Sequence, residues 1–215
     1  MVNLAHSRAI TATDKSFKAI AGVAMVAVVV SLALPGTAHA EMDTFQRMET
    51  ARAAEKWINF PYVIPWSDCT YYVSSVLWDG GMEPTADWTP QTSDPAKLAS
   101  QKLLNPGPSK IAAHADMFKN YMVNTGRARI TEIDWSDNTA AGAQLADVIA
   151  YDWESGADGV IDHLAIVTSF AEGGYPQVSQ HSPTRLNRGW SWDVGADQWI
   201  EFSHPGARVY LIHFV

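Results

Sequence analysis

The chain has 215 residues, 47% of them hydrophobic and 18% charged, with a formal net charge of −8 at pH 7. An acidic chain is not held to nucleic acid or to an anionic membrane by bulk charge. No internal repeat or low-complexity tract is visible, so neither a solenoid nor a disordered tail is indicated.

The first forty residues read as an export leader. Lys15 and Lys18 precede the uncharged run AIAGVAMVAVVVSLAL, and Ala38-His39-Ala40 follows it. A positive segment, an apolar segment and a small-x-small site make a secretory signal peptide, cleaved after Ala40. The alternative is a retained anchor, but the run falls short of the ~18 apolar residues a spanning helix needs. The leader carries a net charge of +2, which leaves −10 on residues 41–215. That remainder suits one domain with its own core, secreted and in reach of a cell wall.

The elements follow in order. From Asp43 to about Trp57, Phe45, Met48, Ala51 and Arg52 keep near-helical spacing, and Asn59-Phe60-Pro61 ends the pattern. A second helix starts at Ser67 or Asp68, both good N-caps. In it Cys69, Val73, Val76 and Leu77 share one face, and Gly80-Gly81 closes it. Residues 82–108 read as irregular, with a short helix near Lys97. A third helix runs from Ser109 to about Thr125 on a stripe of Ile111, Ala115, Phe118 and Met122, stopped by Gly126. Then the period becomes strand-like, over Asp147–Trp153, Val160–Phe170, Gln177–Ser182 and Arg208–Val215. Helices followed by antiparallel strands predict an α+β domain.

The sequence holds a single cysteine, Cys69. An odd cysteine in an exported chain indicates intermolecular pairing or a thiol kept for chemistry; the plain alternative is a small buried hydrophobe. At a helix start the unpaired N–H groups and the dipole favour the thiolate, the nucleophilic form. A cysteine nucleophile needs a base, and the base needs an orienting group. His163, in VIDHLAIVTSF, is the candidate base, and His181, in QVSQHS, the candidate orienter. A turn flanked by residues 171 and 174 leaves His163 one residue short of direct opposition to His181. That register makes the two imidazoles cross-strand neighbours on one sheet face. Asp162, Asn187 and His213 are other candidates for the third group, and Asp68 is read as a supporting residue.

Three stretches carry a family resemblance: SDCTYYVSSVLWDGG, LADVIAYDW, and DHLAIVTSF followed by VSQHS. They resemble the papain-like cysteine hydrolases, and more closely the NlpC-like branch and its "putative amidase" domain family of bacterial secreted proteins. The resemblance spans about residues 62–185. It implies a papain-like fold with the cysteine helix packed on an antiparallel sheet, Cys69 as nucleophile, His163 as base and His181 as orienting residue. Tyr71 departs from the usual Asn of that pattern, and Ala146 from the usual Gly before the strand.

The implied activity is hydrolysis of amide bonds in a peptide or peptidoglycan-like substrate through a thioester, by a monomer. The same residues would serve an acyl transferase or deamidase, and a degenerate copy would be a non-catalytic binding module. His163, His181 and Asp162 could bind zinc, but no H-E-x-x-H or paired C-x-x-C supports it. DWESGADGVID is a faint likeness of a calcium loop, better explained by a turn at Asp158-Gly159. No metal or cofactor is therefore expected. Trp88, Trp190, Trp192 and Trp199, in polar surroundings, are candidates for lining a cleft.

Overall fold

A computed structural model describes residues 41–64, 68–100, 105–153 and 158–215. All of these belong to the second of the chain's two compact units, residues 37–215. The signal-peptide reading and Ser67 fall outside the described residues. Among the described residues, no helix is long and apolar enough to cross a membrane.

Among the described residues, four helices come first. Helix α1 (Thr44–Trp57) is capped by Asp43, whose carboxylate accepts from Gln46 N at 2.8 Å. Helix α2 (Cys69–Asp79) buries Val73, Val76 and Leu77 completely, the predicted stripe. The two helices cross where Gly80 meets Thr50. A Cβ on Gly80 would lie 2.0 Å from Thr50 Oγ1, so only glycine permits this approach. The expected third helix is two pieces, α3 (Lys110–Ala113) and α4 (Ala115–Asn124), because His114 between them is extended at φ −125° and ψ 124°. Phe118 and Met122 still point inward, and Gly126 stops the run at φ +71°. Near Lys97 there is a turn rather than a helix, held by bridges between Leu98 and Ser109 and between Thr92 and Gly107.

Eight strands follow among the described residues: β1 (Ala128–Glu132), β2 (Val148–Asp152), β3 (His163–Phe170), β4 (Pro176–Gln180), β5 (Arg185–Gly189), β6 (Trp192–Asp193), β7 (Gln198–Trp199) and β8 (Arg208–Phe214). A short helix, α5 (Ile200–Ser203), precedes β8. Six strands form one sheet in the order β1-β8-β2-β3-β4-β5, every neighbouring pair antiparallel, and β6 pairs with β7 apart from it. The α+β expectation is met. Helices α1, α2 and α4 cover one face, burying Val148, Ala150, Leu164, Ile166 and Ile212. The other face carries Ile149, Tyr151, Ala165, Val167, Val178 and Trp190 under the later loops. With both faces covered, β2 is buried along its length, and its first four residues, VIAY, read as an unbroken run without charge.

A buried polar knot ties helix to sheet. Asp147 is fully buried and accepts from Arg47 Nη1 at 2.7 Å, His213 Nδ1 at 2.8 Å and Gln144 N at 2.9 Å. Arg47 also donates to the carbonyls of Met42, Leu145 and Phe214. The motif aspartate of LADVIAYDW is thus a structural tie. Ala146 beside it adopts φ +69°, the left-handed region glycine enters freely, so the Ala-for-Gly departure keeps the turn and strains it.

Candidate active site

Cys69 is the first residue of α2 and is buried, at 2% exposure, with Thr70 Oγ1 3.7 Å from its Sγ. Asp68 holds the N-cap position but makes no side-chain cap bond, contrary to the sequence expectation. Its carboxylate turns away. Oδ1 accepts from Val63 N at 3.0 Å and Ile64 N at 2.8 Å, and Oδ2 faces His181 Nδ1 at 2.7 Å. The amides of Val63 and Ile64 are thus held on the aspartate, which is not available to cap the first-turn N–H groups of the helix.

His181 follows β4 directly and is buried. Its Nδ1 meets the Asp68 carboxylate and its Nε2 meets Ile58 O at 3.2 Å. The Asp68 carboxylate and the Ile58 carbonyl thus engage both ring nitrogens. It stacks on Tyr72 at 4.4 Å and lies 4.8 Å from Tyr62. No ring nitrogen is left for His163.

The expected neighbourhood of the two histidines is corrected by the register. Ile166 pairs with Ser179 and Val167 with Val178. Continued to the strand ends, that register sets Leu164 against residue 181 and Ala165 against Gln180. Side chains alternate between faces, so a one-residue offset is a change of side. His181 points to the helix face with Ser179, and His163 to the other face with Ala165.

His163 opens β3 and is 4% exposed. Its ring stacks on Trp153 at 5.1 Å and tilts against Tyr151 at 6.0 Å. Burial, then the charge of Arg188, push its pKa down from 6.5 to about 3, against a side-chain hydrogen bond with Gln180 that favours the charged form. The imidazole is neutral at neutral pH. Its Nε2 is buried and has no hydrogen-bond partner among the described residues.

Gln180, which the sequence reading did not single out, is fixed by its surroundings. Its Oε1 accepts from Arg188 Nε at 2.7 Å and its Nε2 donates to Pro183 O at 3.2 Å. Arg188 in turn donates to the carbonyls of Gly189, Trp190 and Trp192 and to Tyr151 Oη. The signal that could have found Gln180 is strand parity: it stands one residue from His181 and hence on the face of His163.

Cys69 and His163 come to one end of the sheet. Asp68, immediately before α2, is bonded to His181 at the close of β4, and β4 closes where antiparallel β3 begins. Among the described residues, no hydrogen bond links the thiol to the imidazole. The other candidates for a third group are engaged elsewhere: His213 with Asp147, Asn187 with Thr168 Oγ1, and Asp162 with Trp153 N. Trp88 and Trp190 are fully buried core residues and line no cleft. Trp192 and Trp199 pack edge to face at 5.0 Å, and Trp192 lines a cavity beside Gln180. Among the described residues, no group of three metal-ligating side chains is gathered.

The α+β domain thus carries a helix-borne thiol and a buried imidazole, its Nε2 without a partner among the described residues, at one end of an antiparallel sheet. The chain belongs to the family described as "Putative amidase domain", whose model matches residues 45–204. That membership suggests an enzyme that hydrolyses amides. The chain is also 31% identical, over 125 residues, to the "Uncharacterized protein YjcM" of Bacillus subtilis (strain 168); the match covers 56% of this chain and 25% of that protein. The chain thus spans about a quarter of that relative's length. No solved structure matches.

Proposed function

We propose that the protein is an exported, papain-like cysteine amidohydrolase of the NlpC-like branch, acting on amide bonds of peptide or peptidoglycan-like polymers at the cell wall. The observation that carries this reading is the His163 ring. It is neutral, buried and unpartnered at Nε2, at the sheet end where α2 opens with the only cysteine. Leaving a buried nitrogen unsatisfied costs about 1–3 kcal/mol, which a structural histidine would avoid. A base awaiting a proton accounts for it.

In this mechanism Nδ1–H is donated to Gln180, which leaves the Nε2 lone pair to take the Cys69 proton. The thiolate attacks the amide carbonyl, and the first-turn N–H groups of α2 steady the oxyanion. His163 then gives its proton to the leaving amine, and water, deprotonated by the same nitrogen, cleaves the thioester. Catalytic hydrogen bonds are commonly long before substrate binds and tighten in the complex. His181 with Asp68 braces the chain ahead of the nucleophile, and Gln180 takes the orienting place.

Digestion of purified peptidoglycan, with product masses read out, tests the reaction and the bond together. Cleavage at an amide by the wild-type protein, lost in Cys69→Ala, supports the reading. Hydrolysis retained by that variant rejects the nucleophile. Products carrying an added amine instead of water would assign acyl transfer.

A further inference from the structure

We propose that His204 is a positioning residue: held by Asp193, it clamps the Trp153 indole against the His163 ring. This deepens the amidohydrolase reading and rests on it for the task of His163. Trp153 stacks on two imidazoles. It lies 5.1 Å from His163 at an interplanar angle of 20°, and 5.2 Å from His204 at 21°. One of these rings opens β3 and the other follows α5, so the indole joins two separate elements.

The indole is fixed at its backbone and has room at its side chain. Trp153 N donates to Asp162 Oδ2 at 2.9 Å, which ties the chain beside His163. The side chain lines a cavity of about 170 Å³. A cavity of roughly 150 Å³ holds a benzene, so an unsupported indole has space to turn away from His163. His204, which lines the same cavity, is the ring that stands against that turn.

His204 is itself held from three directions. Its N–H donates to Ile200 O at 2.8 Å, its carbonyl accepts from Ala207 N at 3.0 Å, and its Nε2 faces Asp193 Oδ2 at 3.5 Å. The other oxygen of Asp193 accepts from Gly195 N at 2.8 Å and Ala196 N at 3.2 Å, in the turn between β6 and β7. That hairpin pairs outside the six-stranded sheet and reaches the His163 ring through Asp193, His204 and Trp153. The His204 and Asp193 side chains are 38% and 23% exposed, and a pair so placed adds little to stability. Its effect falls on the ring it backs. An indole face kept flat against His163 favours the imidazolium formed when that ring takes the thiol proton, and holds the Nε2 lone pair in one direction.

The test measures alkylation of Cys69 by iodoacetamide at pH 7 in the full chain, with the urea midpoint and the NMR signals of the His163 ring recorded on the same proteins. The expected result is alkylation about tenfold slower in His204→Ala at an unchanged midpoint, with most of the rate recovered in His204→Phe, which keeps a ring against the indole. In a His163→Ala background, His204→Ala should slow the reaction no further, because the clamp acts through His163. A wild-type rate in His204→Ala, no recovery in His204→Phe, or the same loss in the His163→Ala background overturns the clamp. If His163→Ala itself leaves the rate unchanged, the base reading fails and the ring signals decide the clamp. It stands if His204→Ala moves them and falls if they stay in place.

Discussion

His163 and His181 stand on opposite faces of one antiparallel sheet, although they lie in adjacent strands and close to opposition. The register Ile166–Ser179 fixes this. The two rings accordingly do different things. His181 is engaged at both ring nitrogens, by the buried Asp68 carboxylate and the Ile58 carbonyl, whereas His163 Nε2 has no hydrogen-bond partner among the described residues.

Removing the Gln180 amide should therefore hurt turnover and not the fold. Gln180→Ala is expected to lower kcat about 100-fold with KM little changed, the cost of a misplaced catalytic ring. Gln180→Glu keeps the acceptor and adds a negative charge beside the imidazole. It should retain activity and move the acidic limb of the kcat/KM profile to higher pH. Equal kinetics in all three proteins would remove Gln180 from the site.

His181→Ala should act on stability instead. It leaves the Asp68 carboxylate buried beside a void, and breaking a buried pair of this kind costs about 3–5 kcal/mol. Urea unfolding followed by tryptophan fluorescence reads this directly. A change in turnover without a change in midpoint would return His181 to a catalytic role.

Stability should also depend on pH through His163. Its folded pKa, about 3, lies below the unfolded value of 6.5, so its contribution is fully present above pH 6.5. As pH falls from there toward 3 the unfolded chain binds the extra proton, and stability drops by at most about 1.4 kcal/mol per pH unit. Comparing unfolding of the wild type and His163→Gln at pH 7 and pH 5 isolates this term. The variant should show the shallower fall.

Asp147→Ala removes the acceptor shared by Arg47 and His213 and strands a buried guanidinium. The expected loss is about 3–5 kcal/mol, seen as a lowered urea midpoint. An unchanged midpoint would mean that the Arg47 bonds to backbone carbonyls suffice.

Much of this architecture was legible in the sequence. The apolar stripe of α2 and the alternation of Val209, Leu211 and His213 with their neighbours are strong periodic signals, and both elements formed where the spacing put them. The strands that were missed, β1, β5, β6 and β7, are short or polar and gain their pairing from tertiary neighbours, which local pattern does not encode. The break at His114 is a single extended residue inside an otherwise continuous apolar stripe. Within the site, Cys69 and His163 stood out by type and setting. The Asp68–His181 pair joins residues 113 positions apart, so no spacing rule reveals it. Gln180 was hidden by a single residue of parity, the smallest error a turn guess can make and the one that exchanges faces.

The central claim is that His163 activates the Cys69 sulfur, and alkylation tests it without knowledge of the substrate. The intact protein and His163→Ala are treated with iodoacetamide at pH 7, and modification of Cys69 is followed by mass spectrometry. The account predicts that the wild-type thiol reacts at least about tenfold faster than the thiol of the variant. Equal rates in the two folded proteins, or an inert wild-type thiol, would contradict it.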